Sequence, residues 1–185
     1  ELGMGFVALF FAGLALWFYK NEVDTFYKAV DWDLLGFFAS LFVVIYVMEQ
    51  AEVLAIIGEG IGAMLSLPGP AAQASLLVSA AAASSVTDNI PLAAVLAKIL
   101  AVNPLVVGPE GSNPGSPFWW CVIYGANLGG NITPIGSAST VVAMTIIHKN
   151  SLPLTFMGFV KVASAFAVVQ IILAIGYVWI TSLLF

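Results

Sequence analysis

Ser84-Ser85-Val86-Thr87-Asp88-Asn89-Ile90-Pro91 interrupts a chain that is otherwise close to pure hydrocarbon, and Leu128-Gly129-Gly130-Asn131-Ile132-Thr133-Pro134-Ile135-Gly136-Ser137 interrupts it a second time. Before the first stretch lies Ala71 to Ser85, an Ala/Ser/Leu/Val run whose small side chains suit close helix packing. Pro91 lacks an N–H and pushes the residue before it away from helix, so the run stops there. Asp88 or Asn89 can cap a new helix with Pro91 in its first turn. That helix, Leu92 to about Ala101, would be roughly 15 Å long, half a bilayer. Two helices joined by a polar break, the second too short to span, predict a re-entrant hairpin; the competing reading is one kinked span over 71–101. In the second stretch Gly129, Gly130, Gly136 and Pro134 cannot continue a helix cheaply. Helix over about 118–127 and again over 137–147 predicts a broken transmembrane helix.

The surrounding composition names the solvent. Of 185 residues 61% are apolar and 8% charged, with 13 Phe and 5 Trp, whereas soluble domains carry about 25% charged residues. That deficit excludes a disordered chain, a nucleic-acid binder and an ordinary soluble enzyme. Mean hydropathy of +1.05 points to lipid. Leu2–Tyr19 is a first candidate span and 34–48 a second. A polar stretch, 20–33, separates them, with Tyr27 and Trp32 suited to an interface. Residues 51–65 place Glu52 and Glu59 among apolar side chains at near-helical spacing, an amphipathic helix lying on the surface. Leu67-Pro68-Gly69-Pro70 ends it. Residues 102–117 are turn-rich and read as a loop, Phe118-Trp119-Trp120 as an interfacial anchor, 153–160 as a short interfacial piece and 161–185 as a full span. The expected fold is therefore an all-α membrane protein with one re-entrant hairpin and one broken helix. It forms a single membrane domain, scaffold-like over 1–66 and transport-like over 67–185. The sequence opens on Glu1 rather than Met, as expected of a fragment or processed chain.

Charge placement supports this topology. With the hairpin returning to its own side, Lys20, Lys28, Lys149 and Lys161 share one face of the membrane, and Glu49, Glu52, Glu59 and Glu110 share the other with no Lys or Arg. The positive-inside rule makes residues 20–33 and 148–161 cytoplasmic and 49–69 and 102–117 external, in a cytoplasmic or inner membrane.

Unpaired backbone groups survive at membrane depth only inside protein or beside water. There they offer half-helix N-termini to anions and unwound carbonyls to cations. The polar side chains at the breaks are Ser84, Ser85, Thr87, Asp88 and Asn89 at one, and Asn127, Asn131, Thr133, Ser137, Ser139 and Thr140 at the other. Asn89-Ile90-Pro91 and Asn131-Ile132-Thr133-Pro134 carry similar text and read as two walls of one site. The competing reading is a pair of packing kinks whose hydroxyls bond back to their helices. Asp88 is the sharpest residue, because an intramembrane carboxylate usually marks an ion or proton path; it also suits a helix cap. Lys98 either reaches outward to the interface or acts as a counter-charge. His148 reads as an interfacial residue at a helix end and Cys121 as a small apolar filler. Metal-ligand clusters, phosphate loops and catalytic carboxylate pairs are not recognisable.

Ser84 to Leu92, followed by Gly125-Ala126-Asn127 and the 128–137 stretch, resembles the ion transporter superfamily, which includes arsenite permeases, sodium–proton antiporters with an Asp-Asn-x-Pro hairpin, and citrate or dicarboxylate carriers. Val30-Asp31-Trp32-Asp33-Leu34-Leu35-Gly36-Phe37-Phe38 is similar to the beginning of that family's second repeat. The resemblance implies two inverted repeats, each with a hairpin and a broken helix, working as an elevator in a homodimer. This chain resembles only the C-terminal repeat, so an N-terminal repeat or companion chain is the implied partner, beside the bilayer itself. Carried over, Thr87, Asp88 and Asn89 would contact a coupling ion or substrate at the hairpin tip. Gly130, Asn131, Thr133 and Ser137 would face them, with Ser85 and Asn127 alongside. A Na⁺ ion would sit among Thr87, Asp88, Asn89, Asn131 and Thr133; no other cofactor is implied. The carboxylate carriers resemble a Ser-Asn-Thr tip, and the negative Asp88 here favours a cation-handling or cation-coupled member. The expected function is secondary active ion transport, Na⁺/H⁺ antiport first. Arsenite or organic-anion transport is the nearest alternative and a non-transporting accessory subunit the alternative from another class. A membrane hydrolase would require a His beside a Ser such as Ser137.

Overall fold

The computed structural model describes residues 3–30, 32–111 and 113–184, and their side chains except at 33, 34 and 38. Leu2 of the first candidate span, Asp31 of the Val30–Phe38 stretch and Phe185 of the last span lie outside the described residues. Every regular element among the described residues is helical: α1 (Met4–Phe18), α2 (Val23–Ala29), α3 (Trp32–Gln50), α4 (Val53–Leu65), α5 (Gly69–Ser84), α6 (Asn89–Ala101), α7 (Pro104–Val107), α8 (Pro117–Gly129), α9 (Ala138–Lys149) and α10 (Phe156–Leu184). The chain divides into two compact units, one up to Val44 and one from Ile45 onward.

In the first unit no residue of α1 or α2 is buried. Phe6, Leu9, Phe10, Phe11 and Trp17 all stand exposed, as side chains do when the surrounding medium is hydrocarbon. The polar stretch after α1 is itself helical, one 3-10 turn at Lys20–Glu22 leading into α2, and the axis bends by 94° at Tyr19. Beyond α2, Trp32 donates Nε1–H back to the Tyr27 carbonyl at 3.1 Å.

The second unit holds the core. The seven- and four-residue steps from Leu54 to Ile61 to Leu65 bury one face of α4, and α4 packs against α5 and α6. The tightest seam joins α5 to α8. A Cβ on Gly125 would sit 2.6 Å from the Leu77 carbonyl oxygen, and one on Gly129 would fall on the Ala81 backbone. Gly125 and Gly129 are one turn apart, so a G-x-x-x-G face lets two backbones touch. Because 77 pairs with 125 and 81 with 129, α5 and α8 run parallel and end at the same level. α6 begins beside the end of α8, where Asn89 meets Asn127, and packs back along α8. α10 runs the other way: Tyr177 meets Tyr124 edge-on at 5.8 Å, and Ser182 lies 3.5 Å from Gln73 near the start of α5. Leu76, Leu77, Leu100, Val106, Cys121 and Val178 are nearly or wholly inaccessible at the centre.

Three expectations need correction. Residues 153–160 are not a separate interfacial piece; α10 is continuous from Phe156. Thr155 Oγ1 accepts the Gly158 N–H at 3.1 Å and so starts the helix, and Gly158 alone, at about 1 kcal/mol, is too weak a breaker to stop it. The 102–117 loop contains α7, which starts because the Asn103 side chain accepts the Leu105 N–H at 3.0 Å with Pro104 next in line. The helix after the first break starts at Asn89 rather than Leu92, because Asp88 is its N-cap. By length and composition α10 can cross a membrane, with mean hydropathy 2.1 in its best window; among the described residues the number rises to 3 if the bent pairs α1–α2 and α3–α4 each count as one span.

Candidate functional site

Two helix C-termini and two helix N-termini meet where the chain breaks. α5 ends at Ser84 and α6 begins at Asn89; α8 ends at Gly129 and α9 begins at Ala138. The parallel α5–α8 seam delivers both C-termini to one level, and the breaks then interlock. Ser84, fully buried, donates its hydroxyl to the Ala126 carbonyl at 2.5 Å. Thr133 Oγ1 donates to the Ser85 carbonyl at 2.5 Å. Asn89 Nδ2 donates to Asn127 Oδ1 at 3.4 Å, while Asn127 Nδ2 is anchored on the Ile123 carbonyl at 2.8 Å. Gly136 turns its Cα toward the Gly130 and Ser84 carbonyl oxygens, which a Cβ would approach to 2.7 and 2.9 Å.

The outgoing helices are capped differently. Asp88 Oδ1 accepts the Ile90 N–H at 3.2 Å and places a carboxylate at the positive end of α6. Ser137, buried, accepts the Thr140 N–H at 3.3 Å, and Thr140 Oγ1 reaches the Pro134 carbonyl at 3.0 Å. The N-terminus of α9 therefore carries no neutralising charge. Among the hydroxyls, Ser85 and Thr87 bond back to the Ala82 and Ala83 carbonyls at 2.7 and 2.8 Å, as the kink reading expects. Ser84 and Thr133 instead bridge the breaks. An oxygen-rich, backbone-lined junction of this kind has the donor chemistry to replace the hydration shell of a small ion.

Of the residues singled out from sequence, Ser85, Asn89, Asn127, Gly130 and Thr133 meet here, and Ser137 follows directly on Gly136. Asp88 and Thr87 sit on the first wall without a hydrogen bond to the second, and Asn131 is exposed with no side-chain hydrogen bond among the described residues. Gly136 and the carbonyl of Ala126 belong to the junction and were not singled out. Their signal was the pairing of Gly125 and Gly129 with the small residues 80–84. Lys98 turns out to pair with Glu49, Nζ to Oε2 2.7 Å. His148 Nε2 lies 2.8 Å from the Leu154 carbonyl, at the end of α9. No group of three or more His, Cys, Asp or Glu able to hold a metal occurs among the described residues.

A model of the citrate transporter family matches residues 2–120, the larger part of the chain and all of the first break. The chain belongs to this family. An uncharacterized transporter of Mycobacterium tuberculosis is 31% identical over 94% of this chain and 40% of its own length. One from Synechocystis sp. is 31% identical over 93% of this chain and 42% of its own. P protein of Mus musculus is 32% identical over 76% of this chain and 17% of its own. The chain thus spans about two fifths of the length of the first of these family relatives. No solved structure is significantly similar to it. Membership places the chain among the membrane proteins of a transporter family.

Proposed function

We propose that the chain is the C-terminal repeat of a secondary active transporter that couples ion movement to Na⁺ or H⁺, with the junction of the two breaks as its half of the site. The carrying observation is the interlock itself: Ser84 on Ala126, Thr133 on Ser85 and Asn89 on Asn127 hold two interrupted helices against each other in a chain that is otherwise apolar. Na⁺/H⁺ antiport is the leading form. In it Asp88 binds Na⁺ and H⁺ in alternation, with Thr87, Asn89, Asn131 and Thr133 as further oxygen ligands. Support for a cation comes from the carboxylate already standing at the start of α6, where an anion would otherwise be drawn.

One observation favours a second form, a citrate-type anion carrier coupled to the same cation. The N-terminus of α9 is capped by the neutral Ser137, so its positive end is open to a carboxylate. The family model carries the same suggestion. In either form the reading places residues 20–33 and 148–161 on the cytoplasmic side and 49–69 and 102–117 outside, with α5 and α6 as a hairpin entering from outside. A second, inverted repeat, an elevator motion and a homodimer complete the proposal.

Asp88→Asn tests it well, because Asn caps a helix as well as Asp does. Reconstituted in proteoliposomes as the complete native polypeptide, the variant should remain folded and lose pH-driven Na⁺ flux. Undiminished flux would remove Asp88 from the mechanism. Thermal stabilisation by Na⁺, citrate and arsenite in turn separates the cation form from the anion forms.

A further inference from the structure

Gln170 lies in the middle of α10, a position from which neither break is visible in the sequence. Its Oε1 is sealed from solvent and has no hydrogen-bond partner, and it is the buried side-chain oxygen or nitrogen among the described residues of which this is true. A buried amide oxygen left unpaired costs the molecule about 1–3 kcal/mol. In a membrane-spanning helix the penalty has no water to relieve it, and such groups mark ion or substrate paths.

Its level along the fold follows from two contacts elsewhere on α10. Ser182 lies beside Gln73, and α10 runs antiparallel to α5. Twelve residues back along α10 is Gln170; twelve residues forward from Gln73 is Ser85. Both steps are roughly 18 Å. Tyr177 lies against Tyr124; seven residues back is Gln170 and seven forward is Asn131, each roughly 10 Å away. Two registers therefore agree that Gln170 is level with both breaks. It is also on the inward side. Ala167, Ala174 and Val178 form the buried stripe of α10; Gln170 is half-buried at its edge, three residues after Ala167 and four before Ala174, with its Oε1 turned to the sealed side.

We propose that the Gln170 amide oxygen is an inner ligand of an alkali cation, Na⁺ in the leading form, bound at the junction of the two breaks. The inference rests on the transport reading above and deepens it by adding a third wall. Oε1 presents two lone pairs and no charge, the same hard oxygen chemistry as the unwound carbonyls of the two breaks. An unpartnered acceptor is what a site for a departing cation requires: a ligand that is not consumed by the protein's own donors when the ion leaves.

The test is a Na⁺ titration of thermal unfolding on the complete native polypeptide in detergent, with choline chloride holding ionic strength constant. Wild type should be stabilised by Na⁺. Gln170→Met, similar in length and without the amide, should melt no lower than wild type in the absence of Na⁺, since an unmet acceptor has been removed. Its half-maximal Na⁺ concentration should rise about tenfold or more, the equivalent of one lost ligand. Gln170→Glu keeps the oxygen and should retain or tighten the Na⁺ response. If Gln170→Met folds poorly, Gln170→Leu provides the same comparison. An unchanged Na⁺ midpoint in the Met or Leu variant overturns the role of Gln170 and leaves the transport reading standing. A wild type indifferent to Na⁺ but stabilised by citrate overturns the cation ligand, and one indifferent to both overturns the reading beneath it.

Discussion

The break between α5 and α6 is short and charged; the break between α8 and α9 is long, neutral and built on glycine. The first spans residues 85–88, takes one turn, and ends in a carboxylate cap. The second spans 130–137, and its turn is shaped by contacts that admit no Cβ at Gly130 or Gly136. In the transport reading proposed above, the two walls divide the labour of a site. The glycine wall supplies closely packed backbone, because the Gly130 and Ser84 carbonyl oxygens crowd Gly136, and the Gly136 carbonyl crowds Gly130, too closely for a Cβ. The Asp88 wall supplies the charge and, at Thr87 and Asp88, the side chains that are not tied to the other wall. A site needs both kinds: geometry that does not relax when the ion leaves, and a group whose charge can be exchanged.

The largest effect should come from the rigid side. Gly129→Ala drives a methyl into the Ala81 backbone, with Gly136→Ala close behind. Backbone cannot swing aside as a flexible side chain can, so the α5–α8 seam must part, at more than the about 1–3 kcal/mol of ordinary overpacking. Loss of the monodisperse folded fraction on size-exclusion chromatography is expected for Gly129→Ala. An alanine at Gly3, where nothing lies within 4 Å, should be silent. Equal tolerance at 129 and 3 would mean that close backbone contact does not make the glycine side rigid.

Next come the cross-links themselves. Ser84→Ala removes the donor to Ala126, and Thr133→Val the donor to Ser85. Each leaves a carbonyl with one fewer partner in a dry setting, at about 1–3 kcal/mol. The double variant should lose less than the sum of the two singles if both bonds hold the same junction. Strict additivity in thermal unfolding would mean that the breaks are held independently.

Much of this layout was legible in the chain. Pro91, Pro134 and the glycines act on their own neighbours, so both interruptions and the helices around them could be read from local chemistry. What could not be read was partnership. Ser84 finds Ala126 across 42 residues and Thr133 finds Ser85 across 48, and nothing in either segment names the other except shared smallness. Lys98 illustrates the same limit. Its half-helix could be drawn from Asp88 and Pro91, but its partner Glu49 lies 49 residues away at the end of α3. The long α10 begins at Phe156 rather than at 161, because Thr155 starts the helix there and one cation within 29 mainly apolar residues does not stop it.

Asp88 is expected to matter less to stability than the glycine wall and more to transport. Asp88→Ala removes the cap on Ile90 and should cost about 1 kcal/mol. Asp88→Asn should leave unfolding within a few tenths of wild type, since the amide oxygen caps equally well. A large loss of stability in the Asn variant would mean that the carboxylate is structural, and the division between a rigid wall and a charge-bearing wall would then fail.

The smallest effect is expected at the Glu49–Lys98 pair, which sharpens the comparison by showing what a charge does away from the junction. The pair is close, 2.7 Å, but its side chains are 47% and 53% exposed; pairs of this kind contribute about 0.2–1 kcal/mol and weaken with salt. It also lines a cavity of about 640 Å³ with Glu52, Glu59 and Asn103. Lys98 is therefore the cation in a lining that also holds Glu49, Glu52 and Glu59, and its removal leaves that lining wholly negative. Lys98→Met alone should destabilise slightly more than Glu49→Gln alone, and the double variant should lie nearer to wild type than Lys98→Met does. Thermal unfolding at low and at molar salt reads both terms. If Lys98→Met costs as much as Ser84→Ala, and salt does not reduce that cost, then the charge at the rim is bound as tightly as the junction, and the contrast drawn between them disappears.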